Sequence, residues 1–123
     1  MDITRAQDFE ELVQDVIRRY GKPDYLFNNA GIGVGGEIWD MKRDHWRRIV
    51  DVNIWGVING TIPDYRAMVK QGFGHIVNTA SLAGIVPAPG ETAYSMSKHA
   101  VVGLSLLDEL THHLFPVCDK TDL

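Results

Sequence analysis

The chain has 123 residues, 45% apolar and 23% charged, with a formal net charge of −4. That length suits one domain with a modest core, and the acidic balance gives no electrostatic reason to expect nucleic acid. No apolar run approaches the eighteen or so residues of a membrane span and no signal-peptide pattern opens the chain. The lone Cys118 cannot close an internal disulfide, so a cytoplasmic, reducing setting is expected.

Thr4 and Gln7 stand at capping-box spacing, which predicts a helix from Arg5. Phe9, Leu12, Val13, Val16, Ile17 and Tyr20 then step by three and four, the stripe of an amphipathic helix. Gly21 and Pro23 should stop it. "DYLFNNAG" reads as a short strand over Tyr25 to Asn28. "GIGVGG" at 31–36 satisfies G-x-G-x-x-G through Gly31, Gly33 and Gly36. The dinucleotide fingerprint also needs a helix that opens at the glycines. No apolar helical stripe appears before Trp46, so this stretch is read as a flexible rim loop and not as a phosphate cradle.

A second helix should begin near Asp40 or Asp44, and the basic "KRDHWRR" at 42–48 is its solvated face. Its stripe runs Trp46, Ile49, Val50, Asn53, Ile54, Val57 and Ile58, which puts Asn53 in the middle of an apolar face. Pro63 should kink or break the helix, with weak periodicity resuming at Tyr65, Met68 and Val69. "GHIVNTAS" at 74–81 is a second strand, β-branched at its centre. A Gly- and Pro-rich loop at 84–90 leads to a third helix over about Thr92 to Leu114, and the last nine residues carry no signal. Strands separated by long helices imply parallel pairing in an α/β fold. Two clear strands and three helices make a partial doubly wound, Rossmann-like sheet, a single incomplete domain over 1–123 that belongs to a larger three-layer fold.

Ligands of open parallel sheets bind outside the carboxyl ends of the strands. Asn28 and Asn29 close the first strand there, and Ser81 closes the second. Tyr94 and Lys98 lie four apart, so one helical turn brings phenol and ammonium to the same face. A buried amide without partners costs roughly 1–3 kcal/mol, so Asn53 needs backbone groups or an ordered water. A hydrolase of Ser81, His112 and an aspartate is a distant alternative, because His112 and His113 at a helix end answer to the helix dipole. No spacing of His and Cys suggests a metal site.

"NNAG" at 28–31, "VDVNIWGV" at 50–57, "NTAS" at 78–81 and "YSMSK" at 94–98 together resemble the short-chain dehydrogenase/reductase family, in its common single-domain branch. The likeness runs from Asp2 to about Leu114. It implies NAD or NADP as cofactor and a small alcohol or ketone as substrate, with Tyr94 as general acid/base. A free phenol titrates near 10, too high for base work at neutral pH. The resemblance gives the neighbouring Lys98 the task of favouring the phenolate and of holding the nicotinamide ribose. It implies that Ser81 orients the substrate oxygen and that Asn53 holds a water that relays protons to Lys98. Asn29, Ala30 and Gly31 would line the adenosine side, and Asp2 would contact the adenine. The family's first two strands, its phosphate-binding glycine loop and its last strands have no counterpart here. The chain is therefore expected to be truncated at both ends, to bind dinucleotide weakly by itself and to turn over negligibly. A second reading is a non-catalytic fragment that associates with other chains, through the Asp44–Lys70 and Tyr94–Leu114 helices that would serve a homo-oligomer.

Overall fold

Helix α1 (Ala6–Tyr20) begins at Ala6, and the expected capping box does not form. Thr4 instead turns back on Asp2: its N–H and its Oγ1 donate to Asp2 Oδ1 at 3.0 and 2.8 Å, while Gln7 donates to Glu11 Oε1 at 3.0 Å. An ionised carboxylate two residues away is the stronger acceptor, so the local turn wins over the cap. The helix stops at Gly21, whose N–H bonds Ile17 O at 2.9 Å, and buries Phe9 and Val13. The computed structural model describes residues 1–114, with side chains through Leu106. Cys118 and the side chains of His112 and His113 lie outside the described residues.

Strand β1 (Tyr25–Asn28) pairs in parallel with β2 (His75–Asn78), Tyr25 opposite His75 and Asn28 opposite Asn78. The second strand is shorter than the run at 74–81 predicts. Between them runs one long helical stretch: α2 (Arg43–Val50), a π turn at Asp51–Trp55, and α3 (Gly56–Gln71). Pro63 neither breaks nor ends it and is buried within α3. A proline inside a helix forfeits one ladder bond at a cost of about 3 kcal/mol, yet α3 runs on through it. The irregularity lies upstream, where Gly56 N bonds Asp51 O across the wide π turn. After β2 come a 3₁₀ turn (Leu82–Gly84) and α4 (Thr92–Leu114). No helix among the described residues is long and apolar enough to cross a membrane.

Helix α3 buries Val57, Pro63 and Met68 and, beside them, the small and polar Gly56, Asn59, Gly60 and Asp64, which hydropathy periodicity does not detect. A Cβ on Gly60 would stand 2.5 Å from Asn28 Oδ1 and 3.0 Å from Phe9, so only glycine admits this approach of helix to strand. Asn28 Nδ2 donates to Thr61 Oγ1 at 3.1 Å and to Asn78 Oδ1 at 2.8 Å; Asn78 donates on to Ser105 Oγ at 3.0 Å. This chain of bonds ties β1, β2, α3 and α4 together at the carboxyl ends of the strands. The helices pack on the Leu26 and Ile76 side of the sheet. On the opposite side Tyr25, Phe27 and Val77 are exposed, with the Tyr25 ring stacked on His75 at 5.2 Å between centroids.

Asp64 sits on the buried α3 face at 5% exposure, and among the described residues no cation or donor reaches its carboxylate. Burial pushes its carboxyl from the ordinary 3.8 up to about 6. The native state therefore holds this proton more tightly than the unfolded chain. Stability falls as pH rises from 3.8 to about 6 and stays low above that. Asp64→Asn is expected to stabilise the fold by about 1–2 kcal/mol at pH values above 6, a figure discounted for residual solvent screening, and to give no gain in acid below 3.8. Thermal unfolding of both forms across that window checks it; parallel pH curves would reject the account.

Candidate active site

The parallel pairing of β1 and β2 brings the segments that follow them side by side. Beyond β1 the chain continues as Asn29–Gly36, and beyond β2 as Thr79–Ser81. Thr79 N extends the ladder to Asn28 O at 3.0 Å, and Thr79 Oγ1 donates to Asn29 Oδ1 at 2.9 Å. Between these segments and the first turns of α4 lies a cleft of about 540 Å³. Asn29, the glycine-rich loop, Thr79, Glu91, Tyr94 and Lys98 carry its lining.

Lys98 decides the electrostatics of the cleft. Its side chain is 5% exposed, and an ammonium that deep needs acceptors to offset its lost hydration. Nζ donates to Thr79 O at 2.7 Å and lies 5.7 Å from the centre of the Tyr94 ring. A side-chain ammonium has three hydrogens, so among the described residues two remain for a ligand in the cleft. The 3₁₀ turn backs α4 at this point: Ser95 Oγ donates to Ala83 O at 2.5 Å, and a Cβ on Gly84 would meet Lys98 O at 2.7 Å. The Tyr94 hydroxyl has no partner among the described residues and borders the cleft.

Asn53 is 1% exposed, and every hydrogen of its amide is committed. Oδ1 accepts from Ile32 N at 2.8 Å, while Nδ2 donates to Ile32 O at 2.8 Å and to Ser97 Oγ at 2.9 Å. The amide thus meets the backbone groups of Ile32 and, beyond them, the Ser97 hydroxyl. The Ile32 peptide is gripped as a strand neighbour would grip it. Ser97, fully buried, passes its own hydrogen to Tyr94 O at 2.7 Å. One side chain from the π turn thus fastens the glycine-rich loop to the helix that carries Tyr94 and Lys98. A second tie, Gly36 N to Gly90 O at 2.8 Å, closes the far end of the loop. The loop expected to be a flexible rim is the anchored wall of the cleft, and no helix opens at its glycines before Arg43.

The other expected site residues fall in several places. Asn29, Gly31, Tyr94 and Lys98 line the cleft, and Asn53 lies directly beneath its wall. Ser81 does not line it; its Oγ accepts from Ala83 N at 3.2 Å and caps the 3₁₀ turn, next to the lining residue Ala80. Ala30 and Asp2 are not among the lining residues either. The Asp2 carboxyl is exposed, and the Thr4 backbone and hydroxyl donors hold it below the ordinary carboxylate range. Thr79, Glu91 and Ser97 belong to the site and are not singled out by the sequence. Thr79 contributes a carbonyl, which leaves no side-chain signal. Ser97 could have been found, since Ala93, Ser97 and Val101 step by four along one buried stripe.

The cleft suits a nicotinamide dinucleotide on two counts. The buried ammonium has donors to spare for ribose hydroxyls. The loop opposite passes close by, with a Cβ on Gly31 standing in ordinary contact at 3.5 Å from Lys98 Nζ and 3.4 Å from Asn53 Oδ1, and its glycines leave backbone on that wall beside Ile32 and Val34. Among the described residues no cluster of His, Cys, Asp and Glu could hold a metal ion.

A family model described as short chain dehydrogenase matches residues 1–114. A 3-oxoacyl-[acyl-carrier-protein] reductase of Thermotoga maritima is 38% identical over 105 residues, covering 85% of this chain and 43% of that protein. Among solved structures, an NAD⁺-bound xylitol dehydrogenase superposes with a TM-score of 0.85 at 36% identity, covering 89% of this chain and 42% of that one. The structure of ElxO with NADP bound gives the same TM-score of 0.85 at 29% identity, over 91% and 46% of the two chains. The chain spans 40% of the length of the first curated relatives it matches.

Proposed function

The chain belongs to the short-chain dehydrogenase/reductase family, and on that premise we propose that its cleft serves reversible hydride transfer between NAD or NADP and a secondary alcohol or ketone. The observation that carries this reading is the pairing of an uncommitted phenol with a buried ammonium at one cleft wall. Tyr94 gives the proton to the carbonyl oxygen in reduction and takes it from the hydroxyl in oxidation. Lys98, whose charge is little screened at its depth, favours the phenolate during that exchange. Its remaining hydrogens hold the ribose of the dinucleotide. When bound, the nicotinamide supplies or accepts the hydride. Ser81 stands beside the lining residue Ala80, outside the lining itself. Its oxygen accepts from Ala83 N and its hydrogen has no acceptor among the described residues, which leaves it to steady a substrate oxygen that reaches past Ala80. Asn53 and Ser97 act through others, holding the loop wall and the first turn of α4 at a set separation. Relatives with NAD⁺ and with NADP bound leave both dinucleotides in play for this chain.

Calorimetric titration of NAD⁺ and NADP⁺ into the 123-residue chain and its Lys98→Met variant tests the reading. A hydrogen bond from a charged donor is worth about 1.5–3 kcal/mol, so the variant is expected to bind about 10- to 100-fold more weakly. Equal affinity in the two forms, or no binding of either dinucleotide at millimolar concentration, would overturn it.

A further inference from the structure

The cleft contains one charged group that hydride transfer does not use. Glu91 lines it together with Tyr94 and Lys98. Ser95 N donates to Glu91 O at 2.8 Å, which makes Glu91 the residue that flanks the start of α4, three positions ahead of Tyr94. Short side chains at such a position commonly fold back to cap the helix. Glu91 is exposed, and its side chain makes no hydrogen bond or ion pair among the described residues, so its carboxylate is left for solvent or for a ligand at the cleft. The one opposite charge in the lining, the Lys98 ammonium, makes no ion pair with it among the described residues. Lys98, the other charged lining residue, is buried against Thr79 O and the Tyr94 ring, and Asn29 is engaged by Thr79. The remainder is glycine, Ile32, Val34 and Ala80.

We propose that Glu91 sets substrate charge: the cleft takes neutral hydroxylated or cationic alcohols and ketones and disfavours those with a carboxylate or phosphate beside the reacting carbon. This rests on the reading of the cleft as a hydride-transfer site. Residues three apart on a helix stand about 5–6 Å from each other at Cβ. A substrate whose oxygen meets Tyr94 therefore carries its neighbouring substituent within reach of the Glu91 carboxylate. At that range, in the dielectric of a protein surface, like charges disfavour binding by about 10-fold.

The probes are acetoacetate and the two butanones that replace its carboxylate by hydroxymethyl or aminomethyl. Each is titrated in the presence of oxidised dinucleotide, so that no turnover occurs, and followed by the amide NMR shifts of Gly33, Ala80 and Tyr94. The native chain is expected to bind the anion about 10-fold more weakly than the neutral ketone, and the cation most tightly. Glu91→Gln should bring the three affinities together, and Glu91→Lys should reverse their order. Shifts at the cleft with the same ranking in all three proteins would overturn the role of Glu91 alone. No shift at those amides with any probe in any of the proteins would overturn the hydride-transfer reading beneath it.

Discussion

On the proposed reading, Tyr94→Phe is expected to lower the hydride-transfer rate of this chain, itself low, by a further factor of about 10²–10⁴, the range general acid/base groups contribute, while leaving the fold and dinucleotide affinity in place. The Tyr94 hydroxyl makes no hydrogen bond among the described residues, so its removal orphans no protein group. The ring stays to pack beside Lys98, whose Nζ lies 5.7 Å from the ring centre, and the carbonyl that accepts from Ser97 is untouched. Surface-facing changes of this kind leave stability within about 0.5 kcal/mol. The measurement is single-turnover loss of NAD(P)H absorbance with the chain in excess over dinucleotide, alongside calorimetry and thermal unfolding. A tyrosine that merely packs would leave the rate alone. A variant that lost rate and stability together would point to disrupted packing instead, and either result removes Tyr94 from the proton-transfer role.

The largest expected effect on stability comes from Asn53. Asn53→Ala strips partners from Ile32 N, Ile32 O and Ser97 Oγ at once. Leaving a buried donor or acceptor unmade costs about 1–3 kcal/mol; because solvent can enter beside the loop, the sum is expected at about 2–4 kcal/mol. A small domain has only about 5–15 kcal/mol in all. Asn53→Asp is the sharper probe. It keeps the shape and the bond from Ile32 N, but an ionised carboxylate has no hydrogen for Ile32 O, and it draws the Ser97 hydrogen away from Tyr94 O. It also places a charge at a position 1% exposed. Denaturant unfolding should therefore show Asn53→Asp at least as unstable as Asn53→Ala at neutral pH, with part of the loss recovered in acid as the carboxyl protonates. Equal stability of all three forms would mean that the clamp contributes nothing to the fold.

Apolar spacing located α1 and α4 to within a few residues, because those helices bury apolar side chains at helical period. β-Branched and aromatic composition located both strands, whose buried position is Asn28. It located α3 less well. Beside Val57 and Met68, α3 buries Gly56, Asn59, Gly60 and Asp64, which suit close approach and polar contact and carry no hydropathy signal. Pro63 illustrates the same gap. Its local effect argues for a break, and the helix continues with Pro63 buried inside it. The turn at Asp2 is a conflict of a different kind, between two local hydrogen-bond patterns whose balance depends on which acceptor carries charge.

Within the site the division is similar. The four-residue spacing of Tyr94 and Lys98 is a property of the helix itself, so it could be read directly, as could the misfit of a polar Asn53 in an apolar stripe. What those groups touch could not. Asn53 meets Ile32 across 21 residues and Ser97 across 44, and Lys98 meets Thr79 O across 19. Ser81 lies outside the cleft lining, and Glu91 lies within it. The sequence by itself determined that the chain is an α/β unit with a phenol and an ammonium on one helical face, because periodicity and spacing are local. Only the tertiary structure decided that the ammonium is buried, that the glycine-rich loop is clamped over it and that a carboxylate shares the cleft, because each of these depends on atoms brought together by parallel strand pairing.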